Sequence, residues 1–581
     1  MTKINFLSGK GDFLLLFGWV AIALVLRFAN LDSKPPWTDE FSTMVFSLGN
    51  SFQGVPLDRA IALDTLLQPL KFQPDASMAD VIHHLLRESN HPPIYFVLAH
   101  EWMRLWSSQD YYSLLWGARS LPALLGVASV PAIYGLGRFA FRSRLVGQCA
   151  AAMMAVSPYG IYLAQEARHY TLAILLVIAS LSCLIVAVRC IHQRISLPFW
   201  VGLIWTGVNS LGVAIHYFFS LTLGAEALVL MFFLGIQFKN KTLTPRGIYS
   251  FLLPILGTLV GGLVWLPIFS ANRYGSELTE WIVNESEGGF AGISPIFQAL
   301  AGWITMLSLL PVESSALPVV IVSALVMIGF FWWALPILFK GVKVCYLQLE
   351  TQLTTRVFGG FVLAAIALFF GFTYCLGIDL TRGARYNFVY FPATMVLVGA
   401  SLAIVFNIPL INCQFFKLPP FTLTGQQAVG LILLMGLFSG VTVVSNLGYQ
   451  KYYKPDQLVT IMRNNSQVPV LIATAQKTHV QTGELMGIAW EWDRKKEKKS
   501  DLKIKFLPSE SPLFLLIHQQ RKKPEKMILT LKETMNQLQR PRDLWLINFP
   551  DKVDLEEENC SVNSRTLPQV DGYDYQLYHC L

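Results

Sequence analysis

Apolar runs of about 20 residues recur along the first three quarters of the chain and stop near residue 446. A helix needs about 20 mostly apolar residues to cross the hydrocarbon core of a bilayer. Runs near 12–30, 114–137, 145–164, 171–188, 198–215, 217–236, 248–270, 317–339, 357–377, 388–406 and 426–446 therefore predict about eleven transmembrane helices. The first run lacks a small-residue cleavage site and continues past signal-peptide length, so it is expected to stay as a span. Two further apolar stretches, 91–106 and 294–312, fit amphipathic helices lying in the outer interface. His100, Glu101 and Arg104 interrupt the first of them. Beyond 446 the pattern changes to short β-rich runs at 468–473, 513–517 and 544–549, with a helical stretch at 525–538 between the last two. The pattern thus predicts an α-helical polytopic membrane module over 1–446, with a first external loop at about 31–113, and a soluble α/β domain over 447–581.

Charge sharpens this division. Of the 82 charged residues, 37 lie in 447–581, although that stretch is under a quarter of the 581-residue chain. Such a charge-poor body excludes a soluble enzyme, a disordered protein and a small disulfide scaffold. The net charge of +8 is spread over both parts, and the cluster at 494–499 reads as a solvated loop, so no nucleic-acid partner is expected. Short cytoplasmic loops are enriched in Lys and Arg. Lys3 and Lys10 precede the first run, and Arg138, Arg142 and Arg144 follow the second. Arg189 and Arg194, Lys239, Lys241 and Arg246, Lys340 and Lys343, and Lys417 then mark every second connection. The alternation predicts a multi-pass plasma (inner) membrane protein with a cytoplasmic N-terminus and an extracytoplasmic C-terminal domain. Six cysteines lie in or beside spans, while Cys560 and Cys580 stand alone in the tail, where an oxidising compartment would allow a disulfide.

Charged residues beside apolar spans carry the information about chemistry, because hydrocarbon penalises them. In the predicted orientation five segments bring such residues to the outer face. They are Trp37-Thr38-Asp39-Glu40, Asn90-His91-Pro92-Pro93, the stretch from Ser157 through Tyr162, Gln165, Glu166 and Arg168 to Tyr170, the pair His216-Tyr217, and Arg382 with Arg385-Tyr386. Each has an ordinary explanation when taken alone: a solvated acidic pair, a helix start, a hairpin, a histidine at a helix end.

In combination they resemble the polytopic C-type glycosyltransferases, specifically the family 39 group of protein O-mannosyltransferases and lipid A aminoarabinose transferases. The resemblance covers roughly 12–400, and the Gln165-Glu166-Ala167-Arg168 block is its most specific part. It implies a C-type glycosyltransferase fold and transfer of a sugar from a polyprenyl-phosphate donor to a lipid, glycan or protein acceptor at the extracytoplasmic face. It also implies Asp39 as general base, with Glu40 binding acceptor or shaping the site. Arg385, then Arg168 and His216, would stabilise the leaving phosphate, with Tyr386 and Tyr170 at the donor. Glu166 would pair with Arg168, bind a sugar hydroxyl or help hold a cation. His91 would contact acceptor or join a metal site, and Tyr162 falls on the acceptor side or is structural.

Some relatives need a divalent metal. The chain shows no ligand spacing such as paired histidines on one helix, so catalysis is expected to require no cofactor. The rival classes are a multispan transporter or lipid flippase, which often shows repeated halves, and a non-catalytic relative. No internal repeat is evident, and the polar residues gather at one face.

Overall fold

The computed structural model describes residues 9–106, 111–241, 247, 249–271, 275, 277–283, 292–413, 421–500, 511–519, 524–550 and 553–581. Lys3, Arg246 and Lys417 of the basic pattern lie outside the described residues. Among the described residues, seven helices are long and apolar enough to cross a membrane: Gly9–Phe28, Ser113–Phe141, Tyr170–Gln193, Phe219–Lys239, Leu317–Leu347, Leu349–Cys375 and Gly425–Val444. Their outward faces carry exposed large apolar side chains, such as Phe13 and Phe17 on the first and Leu325 and Trp332 on the fifth. Such belts are what lipid covers. The other four predicted spans are apolar helices of fewer residues: Arg144–Val156, Phe199–Ile215, Leu252–Leu263 and Phe391–Phe406. The stretches read as interfacial give Ile94–Arg104 and Ser294–Leu307.

Two of the shortened helices end where polar chemistry begins. The run 145–164 breaks at Ser157, because Pro158 has no N–H to give to the Met154 carbonyl. The fully buried Arg27 supplies that bond instead, donating to Met154 O at 2.8 Å and Ala155 O at 3.1 Å. Ser157 starts the next helix, Pro158–Ala164, by accepting from Gly160 N, and its hydroxyl donates to Met306 O. That short helix stops at Gln165, so 165–169 runs as non-helical chain turned into the protein. Likewise Phe199–Ile215 ends at His216, whose extended backbone turns the chain before Phe219.

Among the described residues the strands are β1 (Ala60–Ala62), β2 (Ile411–Cys413), β3 (Phe421–Leu423), β4 (Val470–Gln476), β5 (Leu513–His518), β6 (Arg542–Ile547), β7 (Cys560–Val562) and β8 (Tyr575–Cys580); β2 and β3 pair with each other, and the rest form a six-stranded sheet in the order β1-β5-β4-β6-β8-β7. Its parallel centre is β5 (Leu513–His518), β4 (Val470–Gln476) and β6 (Arg542–Ile547), the three strands predicted, and Pro524–Gln537 is the predicted helix. Antiparallel strands extend both sides: β8 (Tyr575–Cys580) and β7 (Cys560–Val562) on one, and β1 (Ala60–Ala62) on the other. Cys560 and Cys580 face each other across β7 and β8 and are joined by a disulfide. Because β1 belongs to the loop after the first helix, the sheet is built from both sides of the predicted boundary at 446. One apolar core joins the two parts, running from Phe41, Phe46 and Leu66 to Leu458, Trp490 and Trp545. The tail is therefore packed into the first loop and does not hang over it as a separate lid.

Candidate functional site

The site is built around the first turn of the helix Thr38–Ser47. Pro35 and Pro36 keep the chain extended up to Trp37, and the acidic pair then opens the helix, where carboxylates favour the N-terminal dipole. Adjacent helical residues point about 100° apart, so Asp39 and Glu40 face different surroundings. Glu40 is fully buried, and both its oxygens are engaged: Arg119 Nε to Oε1 at 2.8 Å, Arg119 Nη2 to Oε2 at 2.7 Å, and Ala167 N to Oε1 at 2.9 Å. Burial alone would raise the Glu40 carboxyl, but the Arg119 guanidinium outweighs it and holds the group below the usual carboxylate range. Arg119 also donates to Leu31 O and Lys34 O. The pair therefore ties the first loop, the helix Tyr111–Phe141 and the 165–169 segment together. With both oxygens bonded within the protein, Glu40 holds these segments in place.

Asp39 faces the other way and keeps 29% of its side chain exposed. Its Oδ2 lies 3.6 Å from Arg168 Nη2 and 3.7 Å from Arg385 Nη2. Arg168 reaches it from the Gln-Glu-Ala-Arg segment and is fixed by Nη1 bonds to Asp39 O and Thr43 Oγ1, both at 3.1 Å. Arg385 comes from the turn before Phe391–Phe406, and its guanidinium carbon lies 5.0 Å from the rings of Trp37 and Trp281 and 5.3 Å from Tyr386. Arg382 does not join the site. It pairs with Asp379 and donates to Trp281 O, which holds Trp281 beside Arg385. The Nε of both Arg168 and Arg385 is buried without a partner among the described residues.

Three histidines line the wall behind these arginines, with ring centroids 5.3 Å (His91–His169) and 4.5 Å (His169–His216) apart. Burial and the nearby arginines push His91 and His216 well below the usual imidazole range, and burial and His216 do the same to His169. All three are therefore neutral near pH 7. Their bonds assign the tautomers of two. His91 Nε2 accepts from Arg168 Nη2 at 2.8 Å, and its Nδ1 lies 3.1 Å from Ser89 Oγ. His216 Nδ1 accepts from Phe218 N at 3.0 Å, which leaves a proton on Nε2. His91 thus orients an arginine, and His216 offers a neutral donor. Among the described residues no three His, Cys, Asp or Glu side chains are placed to hold a metal ion. Tyr170 lies 5.6 Å from the His216 ring and 5.9 Å from the Arg168 guanidinium carbon, completing the wall.

Residues beyond 446 also contribute. Lys451 enters the site, pairs with Glu166, and places Nζ 4.9 Å from the centre of the Trp37 ring and 5.6 Å from that of Tyr162. Glu166 is thus paired with Lys451 and not with Arg168. Tyr162 stacks on Tyr449 at 4.1 Å, and Tyr449 donates to Thr305. His479, at the start of His479–Ser500, stacks on Phe52 at 4.8 Å. In that same helix Gly483 packs on Thr38: a Cβ there would lie 3.3 Å from Thr38 Cα. The tail thus supports the turn that carries Asp39. Sequence reasoning missed Lys451. The available signal was a cation flanked by tyrosines just past the last span, on the face that the Lys and Arg bias leaves nearly bare.

No family model and no curated protein matches the chain. Among solved structures, the chain is similar to ArnT from Cupriavidus metallidurans bound to undecaprenyl phosphate. That alignment has 11% identity over 98% of each chain and a TM-score of 0.48. The same protein in the apo state aligns at 11% identity over 93% of each chain, with a TM-score of 0.46. An apo oligosaccharyltransferase from Archaeoglobus fulgidus aligns at 12% identity over 83% of this chain and 64% of the other, with a TM-score of 0.41.

Proposed function

We propose that this protein is a C-type membrane glycosyltransferase, related to family 39, that moves a sugar from a polyprenyl-phosphate donor to an acceptor at the extracytoplasmic face. The observation that carries this reading is the partly exposed Asp39 carboxylate lying between Arg168 and Arg385, each brought by a different segment. A base for an acceptor hydroxyl and cations for a departing phosphate are the two groups the reaction needs side by side. The acceptor oxygen forms a bond to the anomeric carbon as the bond from that carbon to the phosphate oxygen breaks. Asp39 takes the hydroxyl proton, and the phosphate leaves on its lipid with the charge met by Arg168 and Arg385. Before the donor arrives, Asp39 shares both arginines. A phosphate entering between them competes for those cations and frees the carboxylate to act as base.

Native membranes supplied with labelled polyprenyl-phosphate sugar test this. The expected result is free carrier released as sugar appears on an acceptor, with turnover undiminished by EDTA because no step is assigned to a metal. Arg385→Ala is expected to cut turnover roughly 10²-fold through lost stabilisation of the leaving phosphate. Movement of the donor across the membrane without bond cleavage would identify a transporter instead, and unchanged donor kinetics in the variant would make Arg385 structural.

A pH dependence follows from Lys451. Burial draws its ammonium down to about 7, with Glu40 pulling the other way. A lowered lysine is charged below that value and neutral above it, and a phosphodiester donor keeps its single charge across this range. The neutral histidines add no charge here. Donor affinity is therefore expected to weaken as pH rises through about 7, and Lys451→Met should flatten the dependence. An equally steep profile in the variant would place the titration elsewhere.

A further inference from the structure

The carboxylates near Trp37 are already engaged by cations. Glu40 is bonded on both oxygens by Arg119. Asp39 lies within 3.7 Å of both Arg168 and Arg385, and Glu166 Oε1 is paired with Lys451. Setting aside the Glu40–Arg119 pair, and Lys34 with Glu313, whose opposite charges offset each other, three cations face two carboxylates. That single excess positive charge suits the single negative charge of a phosphodiester and leaves nothing over for a second cation.

Glu166 is the informative member. Its side chain is 2% exposed, and its Oε2 is buried without a partner among the described residues. A buried acceptor of that kind calls for a donor. A sugar hydroxyl supplies one without adding charge. A sugar ammonium at the same oxygen would sit across one carboxylate from Lys451 and near Arg385, which shares the Trp37 ring with Lys451. It would lose its water and meet like charges in a site where they are poorly screened.

From this juxtaposition we infer that Lys451 and Glu166 select the transferred group, and that it is a neutral, hydroxyl-bearing sugar and not an amino sugar, a conclusion that rests on the donor-site reading above. Lys451 acts here through charge, by excluding a cation that the Glu166 carboxylate would otherwise attract.

The test uses the full-length protein in lipid nanodiscs at about pH 6.5, where a sugar amine is protonated. Affinities are measured for three ligands: bare polyprenyl phosphate, the same carrier bearing a hexose, and the carrier bearing a 4-amino-4-deoxypentose. The hexose donor is expected to bind about 100-fold more tightly than the amino-sugar donor. In Lys451→Met that ratio should shrink at least about tenfold, while Lys451→Arg should preserve it. Equal affinities in the wild-type protein would overturn the inference, with no variant needed. So would an unchanged ratio in a Lys451→Met protein that still binds the bare carrier. Failure of the wild-type protein to bind any of the three ligands would instead overturn the donor-site reading, and the inference with it. The bare carrier separates these cases because it has no sugar to select.

Discussion

Asp39→Asn is expected to reduce sugar transfer roughly 10²-fold or more while leaving the protein folded, as for the loss of a general base. The substitution keeps the size and planar shape of the side chain and removes only its charge and basicity. Asp39 is partly exposed, and the buried Arg168 beside it keeps its bonds to Asp39 O, Thr43 Oγ1 and His91 Nε2 in the variant, so the fold is expected to hold. The effect on donor binding separates its possible roles. An asparagine no longer competes with phosphate for Arg168 and Arg385, so donor affinity should hold or tighten while turnover collapses. Single-turnover measurements with saturating donor, alongside direct donor binding, check this. Near-normal turnover would remove Asp39 as the base. A parallel fall in affinity and turnover would make it a donor-binding residue.

The neighbouring acid should behave in the opposite way. Glu40→Gln leaves the Arg119 guanidinium buried and uncompensated, and breaking a buried pair from one side costs about 3–5 kcal/mol. Arg119 is 1% exposed and Glu40 fully buried, so water cannot replace the lost partner. The expected result is a large fall in thermal stability and in yield of folded protein, with the Ala167 N bond to this side chain weakened from a carboxylate to an amide acceptor. Any surviving folded fraction should retain measurable turnover per molecule, because Glu40 has no oxygen free for substrate. Thermal unfolding monitored beside specific activity distinguishes the cases. A stable Glu40→Gln protein with abolished turnover would return Glu40 to the chemistry.

The contrast between these adjacent acids shows how far the sequence could be read. The membrane body, the three central strands and the helix over 525–538 were legible because hydrophobic periodicity is a local property. The short or polar strands were not. β1 is three residues of the first loop, and only pairing with β5 makes it a strand. Asp39, Arg168 and Arg385 were named as candidates because charge beside an apolar run is costly and therefore informative. The partnership of His91 with Arg168, the burial of Glu40 against Arg119, and the arrival of Lys451 beside Glu166 were not legible. Each depends on contacts between residues 77, 79 and 285 positions apart, respectively. Even the charge of His216 was beyond sequence reasoning, since burial beside other histidines and arginines decides it.

The sequence by itself determined that this is a membrane-embedded helical body with an α/β tail, and that scarce charges gather at the ends of spans. Both follow from the transfer free energy of side chains, which adds up along the chain whatever the final packing. Only the tertiary structure decided which of two adjacent acids stays partly exposed, which cations surround it, and that the tail helps to build the site. Those outcomes depend on desolvation and on partners brought together from distant segments, and in a buried site these set the charge, the contacts and the chemistry of every group.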